Sequence, residues 1–224
     1  AAAWTGAGAA VRRRQVLVAD ARPQRVMHED EGLDGQAHRR QEQETVAEES
    51  TVTFTLTERL FGSRKTVVGT TSDIEGTIRI DPDAEQWLQV GGFTVGAGNL
   101  QTDSGLRDRQ IRRRILQAEE PGYEHMSFTP TRVVGLPAQP GGRVSLRLIG
   151  DLTIREITQS VTFDLALVLA PTASSPVVLV VSGSAEVTRG QYELQIPWVP
   201  FVADVSDEVT LGVNLRLAAT SMGR

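Results

Sequence analysis

The sequence predicts an all-β fold, about eight antiparallel strands forming a barrel, interrupted by one helix. Three features carry that expectation. Between residues 124 and 217, strand-length runs place a large apolar residue at every second position: Val144, Leu146, Leu148, Gly150, Leu152; Val161, Phe163, Leu165, Leu167, Leu169; Val209, Leu211, Val213, Leu215, Leu217. Period two sends successive side chains to opposite faces, so each row supplies one continuous apolar face. The positions between are mostly polar in two of the rows, as in Arg143, Ser145 and Arg147 or Thr210, Asn214 and Arg216. One segment alone, 103–117, departs from this rhythm. Strands that are apolar on one side must bury that side, as a filled core or around a ligand.

Residues 1–49 mix Ala, Gly, Arg and acidic residues with few apolar anchors. Such a stretch buries too little apolar area to offset its ordering entropy, so it reads as a disordered or loosely packed tail. Gln36 to Glu49 has the composition of a charged helix with no face to bury. The folded domain is expected over 50–219, with 220–224 as a C-terminal tail. Val52, Phe54 and Leu56 alternate with threonines in the first strand, and Gly62-Ser63-Arg64-Lys65 turns into Thr66–Thr71. Gly76, Ile78 and Ile80 form the next strand, closed by a turn at Asp81-Pro82-Asp83. Leu88–Leu100 is a glycine-rich strand, in which Gly91, Gly92, Gly96 and Gly98 permit bends and a bulge that would change the parity.

The 103–117 segment spaces Leu106, Ile111, Ile115 and Leu116 as a helix does, with Asp103 or Ser104 as N-cap and Pro121-Gly122 as the stop. Further strands follow at Glu124–Leu136, Arg143–Ile154, Gln159–Leu169, Val177–Val187, a short Tyr192–Ile196, and Glu208–Ala218, with turns at Pro140-Gly141-Gly142 and Arg189-Gly190. By parity, the inward residues are Phe54, Leu56, Ile78, Ile80, Phe93, Val95, Met126, Phe128, Leu146, Leu148, Phe163, Leu165, Leu167, Leu211 and Val213.

Composition narrows the function. A chain with 40% hydrophobic residues and net charge −5 lacks the basic footprint of a general nucleic-acid binder. No run approaches the roughly 18 apolar residues of a membrane-spanning helix. The absence of cysteine excludes disulfides, thiolate catalysis and zinc ribbons. Arg12-Arg13-Arg14 precede only Val16-Leu17-Val18-Ala19, too short for the apolar region of an export signal.

Catalytic constellations are not evident. His28 and His38 fall in the tail and His125 at a strand start, with no convergent acids for metal or general-base chemistry. Glu119-Glu120 and Asp207-Glu208 read as turn residues. Val181-Ser182-Gly183-Ser184-Ala185 is not a nucleophile elbow, and the glycines of 91–98 do not open a helix and so make no phosphate loop. The protein is therefore read as a non-enzyme that requires no cofactor and no metal. Five arginines between 107 and 114 support two readings, a rim that meets an anionic membrane surface or a solvated helix that closes the barrel end. Leu106 and Ile111 are expected to face that end while Arg112, Arg113 and Arg114 stay in water.

Residues 50–219 resemble the YceI-like family of lipocalin-like barrels. The resemblance is carried by Ser50-Thr51-Val52-Thr53-Phe54, Gly76-Thr77-Ile78-Arg79-Ile80-Asp81, Leu100 through Asp108, and Met126-Ser127-Phe128. It continues in Gly150-Asp151-Leu152-Thr153-Ile154-Arg155 with Thr158 and Val161, Thr188-Arg189-Gly190-Gln191-Tyr192, and Val205-Ser206-Asp207-Glu208-Val209. Glu156 and Glu193 stand where the family has glycine, and the aromatic opening before Ser50 is missing. The resemblance implies an extended eight-stranded barrel binding an amphiphilic isoprenoid lipid, a polyisoprenoid or an isoprenoid quinone, along its axis. It also implies a periplasmic or secreted setting, is compatible with a homodimer, and gives Arg107 and Asp108 the task of holding the helix to the barrel. The alternatives left open are a structural or interaction barrel filled by its own side chains, and an unrecognised hydrolase or isomerase.

Overall fold

The computed structural model describes residues 41–45, 49–80, 84–137, 142–170, 178–198, 200 and 202–220. Its strands are β1 Gln41–Thr45, β2 Thr51–Leu60, β3 Ser63–Thr71, β4 Ile74–Ile80, β5 Leu88–Gly96 and β6 His125–Val134. They continue as β7 Arg143–Ile154, β8 Ile157–Ala170, β9 Val178–Thr188, β10 Val202–Ala203 and β11 Glu208–Thr220. Helix α1, Gly105–Gln110, runs on into a π-helical turn, Ile111–Ile115.

All pairings are antiparallel. β2 pairs β3 while β1 pairs β4, and β11 pairs both β1 and β2. β1 and β2 therefore act as one long strand, and β3 with β4 as the next. Counted this way, eight long strands close a ring through β5, β6, β7, β8, β9 and β11. This is the antiparallel barrel expected from the alternation, and closure removes the free edges that an open sheet would expose.

The seam is pinned where β1 gives way to β2. Ser50, fully buried, donates from Oγ to the Arg216 carbonyl at 3.2 Å and accepts from the Arg216 N–H at 3.0 Å. Its hydroxyl thus substitutes for the peptide groups that a regular ladder would offer there. Higher on the same seam, Ser206 exchanges two bonds with Thr57, its N–H to the Thr57 carbonyl at 2.8 Å and its Oγ receiving the Thr57 N–H at 3.0 Å.

Two bulges preserve the inward face. In β5 the register against β4 slips by one residue between Val90 and Phe93, so Leu88 and Val90 point the same way as Phe93 and Val95 despite the change from even to odd numbers. The glycines of this strand hide that flip, as anticipated. In β6 a second slip lies between Pro130 and Arg132 and brings Val133 onto the core side together with Met126 and Phe128.

Inward glycines receive large neighbours. A Cβ on Gly69 would meet the Phe54 ring at 2.0 Å, on Gly76 the Phe93 ring at 2.0 Å, and on Gly150 the Phe128 ring at 2.5 Å. Three of the six phenylalanines thus lie over a glycine of the next strand, which keeps their rings near the wall. At the end of the barrel away from α1, Trp87 is buried and its indole N–H donates to the Pro137 carbonyl at 2.7 Å, tying the β4–β5 and β6–β7 connections together.

Three expectations need correction. Gln41–Thr45 is a strand, not part of a charged helix, and the described fold starts ahead of Ser50. Its residues do not alternate in polarity, so what recruits them is the unpaired backbone of β4 and β11 on either side. Tyr192–Ile196 is not a strand: a 3-10 turn at Gly190–Tyr192 leads to Glu193 in the left-handed region at φ 51°, which breaks any extended run. The two-residue β10 had no sequence signal. The remaining tail, His28, His38, the Asp81-Pro82-Asp83 turn, Pro140-Gly141 and residues 221–224 lie outside the described residues.

Gly76→Ala should lower unfolding free energy by about 1–3 kcal/mol in urea titration, because the new methyl and the Phe93 ring cannot share one site. An unchanged midpoint would mean that the ring has room to move inward at no cost.

Candidate functional site

The inward face encloses two adjoining chambers. The deeper one, of about 130 Å³, is lined by residues from β2, β4 to β9 and β11, and Ser127 is the sole lining residue that is not apolar. Its size is close to the roughly 150 Å³ apolar cavities that stay dry and accept small apolar molecules. The outer chamber, of about 660 Å³, lies beneath α1, the π-helical turn and the 196–205 segment. Val52, Val95 and Met126 border both chambers, so the two adjoin across these side chains.

Most of the residues picked by parity line these chambers. Ile78, Phe93, Phe128, Leu146, Leu148, Phe163, Leu165, Leu167, Leu211 and Val213 line the deep chamber. Val95 and Met126 line both, and Phe54 and Leu56 line the outer one. Ile80 is buried in the core but lines neither. Phe128 and Phe163 meet edge to face at 5.3 Å between centroids. Leu88, Val90, Ile74, Leu152, Ile154, Val181 and Leu215 also line the deep chamber. Most of these obey the same alternation, while Leu88 and Val90 were masked by the bulge.

The mouth is polar, and its charges are paired. Glu58 continues the inward row of Phe54 and Leu56 and is only 5% exposed. Arg107 reaches it from α1, Nη2 to Oε1 at 2.6 Å, and also pairs with Asp103, whose other oxygen meets Lys65 Nζ at 2.6 Å. Four charges in a row thus join the start of the helix to β2 and β3. Asp108 accepts from the Thr102 N–H at 2.8 Å and the Thr102 hydroxyl at 2.6 Å, and Ser104 caps the helix. Hydrogen bonds from Lys65 and then Arg107 hold the Asp103 carboxyl below the ordinary value of 3.8. The alternation that exposed Phe54 and Leu56 to view also contains Glu58, the one functional candidate at the mouth that could have been read from it.

Leu106 and Ile111 part company. Both line the outer chamber, but Ile111 is buried within it and Leu106 stands on its lip, 73% exposed. Five residues apart, they are about 140° apart around an α-helix, so they cannot share a face. The buried stripe comes instead from the π-helical turn, in which the Leu116 N–H bonds to the Ile111 carbonyl at 2.8 Å. Among the arginines, Arg113 pairs with Glu119 at 2.8 Å, and Arg114 is exposed.

The other wall of the mouth is the 190–206 connection, held by two arginines. Arg189 donates to the carbonyls of Ser206 at 2.8 Å, Leu194 at 3.1 Å and Val205 at 3.1 Å. Arg155 donates to those of Tyr192 and Glu193, both at 3.2 Å. Tyr192 is buried, and desolvation pushes its phenol up to about 12, so it stays protonated. This connection lacks periodicity, and its contribution to the chamber through Ile196, Pro197, Trp198 and Val205 was not legible in the sequence. Among the described residues, no group of three or more His, Cys, Asp or Glu side chains is placed to hold a metal.

The architecture defines a class: a closed eight-stranded barrel of lipocalin type with an apolar interior that opens at one mouth ringed by paired charges. The YceI-like domain model matches residues 44–217, and the chain belongs to that family. Among solved structures, Burkholderia cenocepacia BcnA is 18% identical with a TM-score of 0.55, covering 77% of this chain and 98% of its own. A Campylobacter jejuni YCEI protein is 17% identical with a TM-score of 0.54, covering 69% and 85%. A polyisoprenoid-binding domain from Saccharophagus degradans, implicated in plant cell wall breakdown, is 11% identical with a TM-score of 0.54, covering 80% and 98%. No curated protein matches the chain.

Arg107→Ala should cost about 3 kcal/mol of stability in chemical denaturation, since it leaves Glu58 buried without its partner. The double change Glu58→Leu with Arg107→Leu should recover most of that loss. Acid sensitivity should follow Asp103. A depressed carboxyl contributes stability in full above its ordinary value and loses it as pH falls toward the depressed one. Asp103→Asn should therefore lower Tm at neutral pH, where the carboxylate contributes in full, and flatten the dependence of Tm on pH below 3.8.

Proposed function

We propose that this protein binds one amphiphilic isoprenoid lipid, a polyisoprenoid or an isoprenoid quinone, with its tail in the outer chamber reaching toward the deep one and its head at the charged mouth. The observation that carries this reading is the gradient of polarity along the barrel: apolar walls inside, paired charges at the mouth. A lipid tail gains roughly 0.8 kcal/mol per buried CH₂, so a dry channel needs no charged contact to hold it. The outer chamber, at about 660 Å³, falls within the roughly 300–1,000 Å³ usual for small-molecule sites. The polyisoprenoid-binding domain among the similar structures supports the ligand class. Two adjoining cavities inside the barrel also argue against one filled by its own side chains. In this reading the protein carries its lipid and performs no chemistry on it. The arginine-rich turn at Arg112, Arg113 and Arg114 belongs to the same picture, as a cationic flank that approaches anionic lipid.

Full-length protein purified without detergent, extracted with organic solvent and examined by mass spectrometry should yield about one long-chain lipid per chain. Leu165→Glu, which sets an unpaired charge in the deep chamber, should abolish that yield and cost several kcal/mol of stability. The reading fails if wild-type protein carries no lipid and takes up none from added isoprenoid alcohols or quinones.

A further inference from the structure

Among the described residues, the exposed large hydrophobic side chains are Phe61, Val68, Leu106 and Trp198. Three of these gather at one end of the barrel. Leu106 and Trp198 line the outer chamber although they are 73% and 85% exposed. Phe61, 74% exposed, sits at the tip of the β2–β3 hairpin, next to Leu60, which lines the same chamber. That hairpin is fastened to the Trp198 segment, since Leu60 and Arg59 pair with β10 and Arg59 Nε meets Asp204 at 3.0 Å. Lys65 and Arg107 fasten it to the start of α1. The three side chains therefore stand on segments that are cross-braced around one opening, not on independent loops.

Charge is distributed to match. Of the segments that frame this lip, 58–65 and 103–120 hold eight Arg or Lys against five Asp or Glu, while 190–206 adds Glu193 and Asp204 and no Arg or Lys, so the cationic part of the rim is its helix side, on a chain whose net charge is −5. A cationic, apolar rim on an otherwise acidic molecule is complementary to an anionic bilayer, where aromatic and aliphatic side chains enter the interface and basic ones meet the head groups. A protein partner would also be served by an apolar patch. The lining of the outer chamber, however, extends onto the exposed lip through Leu106 and Trp198, and an apolar edge beside the mouth is what a lipid tail requires to pass between membrane and barrel.

We infer that Leu106, Trp198 and Phe61 form a membrane-docking lip that inserts into the surface of an anionic bilayer and places the mouth of the barrel against it. This inference rests on the lipid-binding reading for its purpose, but its test does not. The full chain is mixed with phosphatidylcholine vesicles containing phosphatidylglycerol, and with pure phosphatidylcholine vesicles, and followed by flotation. Wild-type protein should float with the anionic vesicles. Leu106→Gln with Trp198→Gln should partition at least about tenfold less, because two large apolar side chains no longer enter the interface. Phe61→Gln alone, at the lip residue that lines neither chamber, should also lower partitioning and leave the extracted lipid equal to that of wild type. Equal flotation of the double variant and wild type would overturn the inference, as would failure of wild type to bind anionic vesicles. It would also be overturned by a wild-type dimer in light scattering that the variant abolishes, since the lip would then face a second copy. Absence of extractable lipid together with intact, lip-dependent flotation would refute the ligand and leave the docking surface standing.

Discussion

A sheet that curls through a full turn must keep the same side of every strand facing inward, and the residues on that side decide whether the middle is filled or hollow. In this chain the inward side is apolar from β2 to β11, and one-residue slips in β5 and β6 restore the parity wherever the numbering would break it. Without the slip in β5, Phe93 and Val95 would be on the water side while Leu88 and Val90 pointed in, and one wall of the deep chamber would be missing. The phenylalanines that lie over Gly69, Gly76 and Gly150 serve the same end. Their rings cover backbone instead of reaching across the barrel, so bulk is placed on the wall and the axis stays open.

The mouth answers a second problem. Glu58 lies on the inward face, where a carboxylate is costly, and the chain accommodates it by sending Arg107 from the helix to meet it. Asp103 and Lys65 extend the pairing outward to solvent. The result is an end of the barrel that is polar without an uncompensated charge at its threshold, joined through the same contacts to the helix that covers it. On the facing side, Arg189 and Arg155 gather five carbonyls of an irregular segment and give it a fixed course. Both walls of the mouth are thus organised by arginine, once toward carboxylates and once toward peptide oxygen.

Much of this was readable beforehand because side-chain alternation is a local code. β7 was located residue for residue, and β8, β9 and β11 to within a few, since each displays its apolar row in an unbroken run. The same code named Phe163, Leu165 and Leu167 as inward residues, and those line the deep chamber. It failed where structure depends on something other than alternation. The 190–206 connection is shaped by backbone carbonyls meeting guanidinium groups, and Glu58 reads as surface until its place in an inward row is taken seriously. Leu106 does line the chamber with Ile111, but from an exposed position, because its helix is short and changes its pitch at Ile111.

β1 carries one more consequence. Its five residues, Gln41 to Thr45, form ladders with β4 on one side and β11 on the other, so its peptide groups close the ring. Its sequence, Gln-Glu-Gln-Glu-Thr, has no apolar row, and a strand without one leaves little trace in a sequence profile. The family match begins at residue 44, inside this strand rather than at its start. The boundary of detectable kinship and the boundary of the barrel therefore differ, and a deletion designed on the former would cut away part of the strand that closes the ring.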